Sequence, residues 1–324
     1  MTTISPKPKL VTVFGGSGFL GRHIVQALAR RGYLVRVAVR RPDLANHVTY
    51  LGNVGQIQPV QANVRVRWSV DRAVKGADHV INLVAILAEG GRQRFDAVHE
   101  FGARAVAEAA RAAGAGLTHV SAIGADPESQ SAYARTKAAG ERAVSETVKG
   151  ALIVRPSIMF GPEDHFFNRF ANMARFSPAL PLIGGGHTKF QPVYVGDVAE
   201  VIARSVDGSV AGGRILELGG PRVLTFRECM EEMLEVIDRK RMLVPVPWWL
   251  ARLQGAILGL LPNPLLTTDQ VIQLGYDNVV SEKAAKDGRT LEGLGIKGRT
   301  VEAILPTYLW TYRPAGQFTR KAEG

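Results

Sequence analysis

Apolar positions in the first half of the chain fall into short runs divided by stretches with a helical period. Leu10–Phe14 (LVTVF) reads as a strand. Leu20, Ile24 and Leu28, four residues apart, put one apolar face on a helix that stops at Gly32. Leu34–Val39 (LVRVAV) is a second strand and Val80–Ala85 (VINLVA) a buried later one. An alanine-rich helix over Phe101–Ala113 is closed by Gly114, and His119–Ile123 forms the next strand. Tyr133–Lys149 is the next helix and Ala151–Arg155 (ALIVR) a sixth strand, stopped by Pro156. Strand and helix in alternation predict an α/β fold in which helices wrap a parallel sheet.

Beyond Pro156 the rhythm loosens. Residues 161–186 hold several prolines and phenylalanines and a Gly184-Gly185-Gly186 turn, which suits a loop-rich lobe. Phe190–Val195 (FQPVYV) returns as a strand, with Asp197 expected to cap the following helix, and Ile215–Leu218 is one more strand. Thr225 and Glu228 have the spacing of a capping box for a helix that carries Cys229 as a small core residue. No internal repeat, low-complexity tract or long linker separates independent domains.

Composition narrows the class. With 324 residues, 46 % of them hydrophobic, the chain has material for a large core and is neither disordered nor collagen-like. Cys229 is the single cysteine, so an internal disulfide is excluded and a reducing compartment is expected. The opening MTTISPKPKL has no apolar stretch of the secretory kind, and no run of about 20 apolar residues occurs. A cytoplasmic protein is expected, at most peripheral on the inner face of the cytoplasmic membrane. The net charge of +11 favours anionic partners. Its arginines are scattered, with no zinc-finger spacing, RNP-like motif or basic-region helix, so no nucleic-acid partner is expected. The histidines show no HExxH-type spacing, and no metal site is expected.

Directly after the first strand comes Gly15-Gly16-Ser17-Gly18-Phe19-Leu20-Gly21. Glycines there let the backbone turn sharply, approach a pyrophosphate and pack helix against strand, while the helix N-terminus offers N–H groups to the phosphates. The strand before and the amphipathic helix after are the context that gives the motif meaning. At the end of the second strand, where a carboxylate would hold a bare ribose 2′-hydroxyl, stand Arg40 and Arg41, with Arg22 near the glycine turn. Two guanidiniums suit a 2′-phosphate, so NADP(H) is expected over NAD(H). Asp43, beyond Pro42, is expected to do no more than start a helix.

Tyr133 and Lys137 lie four residues apart on one helix face, an arrangement in which the ammonium favours phenolate and makes the tyrosine a usable acid and base. Together with Arg155-Pro156 and Pro192–Asp197 (PVYVGD), these residues resemble the short-chain dehydrogenase/reductase superfamily in its extended form. The resemblance implies a Rossmann-type doubly wound parallel sheet with a smaller C-terminal α/β lobe. Residues 8–160, completed by 190–220, would form the NADP(H)-binding core, and 161–189 with 221–324 the lobe. It further implies Tyr133 and Lys137 as the catalytic pair. Gly15, Gly16, Ser17, Gly18, Phe19, Leu20, Gly21 and Arg22 would form the cofactor cradle, with Val84, Ala85, Pro156 and Ile158 lining it.

Two positions depart from the pattern. Active members carry a serine or threonine after the fifth strand, and the aligned residue is Ile123; Ser121, two residues earlier, shares its strand parity and sits deeper. The usual helix asparagine is replaced by His99. Ser121 and His99 are therefore carried as candidate members of the site. Val120–Asp126, Tyr133–Glu141, Arg155–Asp164, Phe190–Asp197, Leu261–Thr268 and Asp277–Ser281 resemble more closely the atypical branch containing the nucleotide-binding accessory subunit of respiratory complex I. That resemblance implies tight cofactor binding and a structural or assembly role beside complex I or quinone-biosynthesis proteins. The alternative is an NADP-dependent oxidoreductase or epimerase for a nucleotide-sugar or quinone-like substrate, with Tyr133 as acid/base and residues 160–176 lining the cleft. Residues 248–261 (WWLARLQGAILGLL) are too short to span a bilayer. They are expected to form a core or partner-facing helix of the C-terminal lobe, with a peripheral membrane contact as the other reading.

Overall fold

A computed structural model describes residues 8–261, 264 and 266–315. The first seven residues, and Pro262, Asn263 and Leu265 of the Leu261–Thr268 motif, lie outside the described residues. By compactness the described chain divides into one unit of residues up to Arg155 with Val198–Leu216, and a second of Pro156–Asp197 with the residues from Glu217 onward.

In the first unit the elements run β1 (Leu10–Phe14), α1 (Phe19–Arg30), β2 (Leu34–Val39), β3 (Ile57–Gln61), α2 (Arg67–Val74) and β4 (His79–Asn82). They continue with α3 (Phe101–Ala112), β5 (Gly116–Val120), α4 (Ala132–Thr147) and β6 (Leu152–Pro156). The sheet order is β3-β2-β1-β4-β5-β6 followed by the strand Ile215–Leu218, the doubly wound arrangement in which the chain reverses direction between β1 and β4. Parallel register brings Phe14 level with Ala38 and Asn82. The glycine turn, the residues after β2 and the loop after β4 therefore leave the sheet side by side, at the carboxyl ends where such folds bind ligands. Val106, Val80, Ile153 and the alanines of α3 fill the core on one face of the sheet. Burying valine or isoleucine side chains of that size contributes about 1.5–3 kcal/mol each.

The second unit adds β7 (Met159–Phe160), α5 (Phe167–Phe176), β8 (Ala179–Ile183), β9 (Lys189–Phe190) and β10 (Val193–Tyr194). After α6 (Val195–Asp207) and β11 (Ile215–Leu218) come β12 (Leu224–Thr225), α7 (Phe226–Val236), β13 (Met242–Val246), α8 (Trp248–Leu258), α9 (Thr268–Gln273), α10 (Glu282–Lys286) and α11 (Val301–Leu309). The Thr225–Glu228 capping box forms with both reciprocal hydrogen bonds, and Cys229 on α7 is fully buried. Phe160 and Phe167 are fully buried in the unit's core, so this part of the phenylalanine-rich segment packs rather than lining a cleft.

Several boundaries differ from the expectation for local reasons. The fourth strand stops at Asn82, whose side-chain Oδ1 accepts the Val84 N–H (3.1 Å) and turns the chain out of the sheet. Phe190–Val195 breaks into two short strands around Pro192, which has no N–H for a ladder. Asp197 lies inside the first turn of α6 rather than capping it, and its Oδ2 accepts the Arg299 N–H (2.8 Å). The helix expected over 248–261 forms as α8 (Trp248–Leu258) and is only partly packed: Ala251 and Gly255 are buried, Trp248 and Leu250 pack against Ile183, Val246 and Val271, and Trp249, Leu253 and Ile257 are exposed.

Candidate functional site

The glycine turn is held by its own backbone. Gly15 N–H donates to Ala38 O (3.0 Å) and Gly18 N–H to Gly15 O (3.1 Å), with Gly15 at φ +80°. A Cβ at Gly21 would lie 2.4 Å from Gly15 O and 2.6 Å from Gly16 Cα, so no other residue fits there. α1 begins at Phe19 without a side-chain cap and without an acidic residue in its first turn. Its leading N–H groups are thus left for an anion, and the helix dipole favours one. Ser17 and Phe19 are half-buried and Leu20 buried; Arg22 is half-buried one turn further on. Val84 closes over Gly15, with its Cγ2 3.5 Å from where a Cβ would stand, and Ala85 beyond it is exposed.

Arg40 and Arg41 both emerge exposed after β2. Arg40 Nη1 donates to Gln93 Oε1 (2.7 Å), while Arg41 grips Asp43 through Nη2 (2.7 Å) and Nε (3.0 Å). Against the expectation that it starts a helix, Asp43 lies in the middle of a short 3-10 turn (Pro42–Leu44) and pairs with Arg41, which holds the Asp43 carboxyl below the usual range.

The second half of the site gathers at the carboxyl end of β5. Lys137 on α4 is buried, and its Nζ donates to Val120 O (2.8 Å). Burial pulls its pKa down to about 8, against the opposing pull of Glu141. Ser121 follows at once; its N–H donates to Val154 O (2.7 Å), yet its buried Oγ has no hydrogen-bond partner. Because β5 ends at Val120, strand parity does not govern Ser121 and Ile123, and the expectation that they point alike by alternation does not apply. Ile123 lies half-buried in the irregular segment beyond.

His99 sits in a single π turn (Asp96–Glu100) leading into α3. Its Nε2 accepts the Ile86 N–H (3.1 Å), which assigns the ring proton to Nδ1, facing Thr136 Oγ1 at 3.1 Å. Burial, with Lys137 nearby, pushes its pKa down to about 3, so the ring is neutral. The ring is one wall of an aromatic frame around Tyr133. Phe95 stacks on His99 (5.3 Å), and both stand edge-on to the half-buried Tyr133 ring at 5.9 and 5.3 Å. α3 and α4 meet closely here: a Cβ on Gly140 would fall 2.3 Å from His99 O. Tyr133, Lys137, Ser121 and His99 are thus brought together. Pro156 and Ile158 belong to the second unit, where Ile158 N–H donates to Asn278 Oδ1 (2.9 Å).

Sequence reasoning did not single out Phe95, Thr136, Gly140, Asn82 or His119. Asn82 Nδ2 faces His119 Nδ1 (3.2 Å), tying β4 to β5 beneath the site. A glycine inside α4, where helices otherwise avoid it, was the one signal available for Gly140. Among the described residues no cluster of three or more metal-ligating side chains occurs.

The model of the NAD dependent epimerase/dehydratase family matches residues 11–219, nearly two thirds of the chain. The chain belongs to that family. Its members use nicotinamide dinucleotides, and the site supplies what such a ligand needs. The turn can form only because Gly16 and Gly21 lack Cβ atoms, and at the end of β5 the buried Ser121 hydroxyl and Lys137 ammonium have donor capacity to spare. The chain is 36 % identical over 322 residues to an Arabidopsis thaliana mitochondrial NADH dehydrogenase [ubiquinone] 1 alpha subcomplex subunit 9, covering 95 % of this chain and 79 % of that one. It is 32 % identical over 311 residues to a Caulobacter vibrioides ceramide reductase, covering 95 % of each. An Escherichia coli NADPH-dependent quinone oxidoreductase complexed with NADPH shares the fold, with a TM-score of 0.71 at 17 % identity over 92 % of this chain and 99 % of that one.

Proposed function

We propose that this atypical extended short-chain dehydrogenase/reductase holds NADP(H) as a structural or sensing element of an accessory or assembly protein for respiratory complex I. It does so with little or no dehydrogenase turnover. The observation that carries the reading is the apolar Ile123 where active relatives place a hydroxyl, in a chain 36 % identical across 95 % of its length to a complex I subunit. The cofactor would lie with its pyrophosphate on the glycine cradle between Gly15 and Arg22. Val84 and Ala85 would border it from the β4 loop. Arg40 and Arg41 would meet the 2′-phosphate. The exposed Arg41–Asp43 pair opens readily for a doubly charged ligand, because an exposed ion pair is weak. Lys137 would hold the nicotinamide ribose from its buried position, and His99, neutral and bonded at both nitrogens, would position the β4 loop and the Tyr133 ring. The protein would sit at the inner face of the cytoplasmic membrane; among its described residues no helix is long and apolar enough to cross one.

The full-length match to a ceramide reductase favours a second reading, reduction of a carbonyl on a lipid-like substrate. The bound cofactor supplies the hydride in that chemistry. Tyr133 would deliver the phenolic proton to the carbonyl oxygen, Lys137 would favour the phenolate left behind, and Ser121 would donate a hydrogen bond to the same oxygen. One experiment separates the two. Native electrophoresis of gently solubilised membranes, with an activity stain for complex I, should place the protein in the complex with NADP(H) bound. Migration as a free monomer throughout, together with NADPH oxidation by a long-chain ketone that Tyr133→Phe abolishes, would replace the first reading by the second.

A further inference from the structure

The second unit carries an apolar surface that no part of the described chain covers. Trp249, Leu253 and Ile257, at successive four-residue steps of α8, are 68, 52 and 59 % exposed, and Leu260 just past its end is 86 % exposed. α8 packs through its other side, with Trp248, Leu250 and Ala251 against Ile183, Val246 and Val271 and with Gly255 close against the chain at Thr267–Thr268. Pro247 joins α8 directly to β13, which pairs in parallel with β8 from Met242↔Ala179 to Val246↔Ile183. The far end of that ribbon presents Met242 and Phe176, also largely exposed. Isolated exposed apolar residues are ordinary, but grouped ones mark an interaction site. Eight of the seventeen large apolar side chains exposed among the described residues fall in the two stretches 165–196 and 239–268 that form this ribbon and helix.

Charge identifies the occupant. Between Asp164 and Asp197 and between Asp238 and Asp269, those two stretches total 62 residues with seven lysines and arginines. Lys240 and Arg252 are exposed beside the apolar residues, and Arg175 lies over the Phe176 ring at 5.3 Å from its centroid. Arg239 and Arg241 are steered by hydrogen bonds to Tyr312 O and Ala174 O (2.8 Å each). A surface of uniform negative charge repels every carboxylate brought to it and attracts every cation. α8 is about 16 Å long, too short to span a bilayer and suited to lying in its interface, with tryptophans at one end.

We infer that the α8 and β8–β13 face docks on anionic phospholipid, with Trp249, Leu253, Ile257 and Leu260 entering the headgroup–acyl boundary and Lys240 and Arg252 at the phosphates. This rests on the membrane-side placement proposed above and gives it a lipid chemistry. The test is flotation of the whole protein with large unilamellar vesicles of phosphatidylcholine alone, or containing about 30 mol % phosphatidylglycerol, at low salt and at about 0.5 M salt. At least about tenfold more protein should float with anionic vesicles, and high salt should remove most of that excess. Trp249→Ser with Leu253→Ser and Ile257→Ser, and separately Lys240→Gln with Arg252→Gln, should each cut flotation by about fivefold or more at an unchanged melting temperature. Equal flotation with neutral vesicles, none with either, or wild-type flotation of both variants overturns the inference. Run beside the native electrophoresis, the outcomes separate. Vesicle binding without complex I removes the accessory reading and keeps the lipid face; complex I without vesicle binding does the reverse and assigns the patch to protein contact.

Discussion

At the residue scale, single side chains or their absence decide the site. Gly21→Ala would drive a Cβ to 2.4 Å from Gly15 O, so the turn must open. NADPH affinity by calorimetry is expected to fall at least about tenfold, with about 1–3 kcal/mol of stability lost from overpacking. Arg40→Ala with Arg41→Ala should weaken NADPH by a similar factor and leave NADH unchanged, since only the former carries the 2′-phosphate; equal loss for both would end the NADP(H) assignment. Lys137 titrates near 8 in the folded chain against an ordinary 10.5. Between those values the unfolded chain keeps a proton that the native one has released, so stability rises with pH across the window. Urea unfolding at pH 7.5 and pH 10 should show this rise, and Lys137→Met should flatten it. His99 behaves in the opposite pH range. Its folded pKa near 3 means that stability falls as pH drops below about 6.5, because the unfolded ring takes up a proton that the native one refuses.

At the element scale, α3 and α4 approach closely enough that Gly140 faces the His99 carbonyl with no room for a methyl group. Gly140→Ala is expected to destabilise by about 1–3 kcal/mol in denaturant unfolding, despite alanine's better helix propensity. It should also loosen the aromatic frame that holds Tyr133. On α7, burial pushes the Cys229 thiol up to about 12. A thiol reagent at pH 8 should therefore label the native protein no faster than it unfolds, and fast labelling would contradict the packing of α7. The alternation of apolar runs with four-residue periodicity made β1, α1, β2, α3 and α4 legible from residues alone. β3 and α2 were not, because Ile57–Gln61 holds a proline and two glutamines and Arg67–Val74 is mostly polar on its outer face. Their existence follows from the sheet's need for an edge strand and a crossover, not from their own pattern.

At the scale of the whole molecule, sequence similarity carries the family and coordinates carry the arrangement. The chain passes between the two compact units three times, at Arg155–Pro156, Asp197–Val198 and Leu216–Glu217, so neither is a continuous segment. The net charge is +11, and in the second unit Lys240 and Arg252 stand exposed beside the exposed apolar side chains of β13 and α8. Periodicity suggested a packed helix there because Arg252 and Gln254 are the two large polar residues of 248–261; it did not register that Trp248, Leu250, Ala251 and Gly255 turn inward while Trp249, Leu253 and Ile257 do not.

What the amino-acid order determined by itself is whatever depends on near neighbours. The glycine spacing after β1, the Tyr133–Lys137 step on one helix face and the Thr225–Glu228 cap all act within a turn or two of chain. Tertiary structure alone decided what depends on residues far apart. The burial that lowers Lys137, the orphaned hydroxyl of Ser121, the neutral His99 held by Ile86 and Thr136, and the uncovered face of α8 each arise where distant segments meet or fail to meet. Local pattern specifies which groups a segment offers; dielectric, hydrogen-bond partners and solvent access come from the rest of the fold.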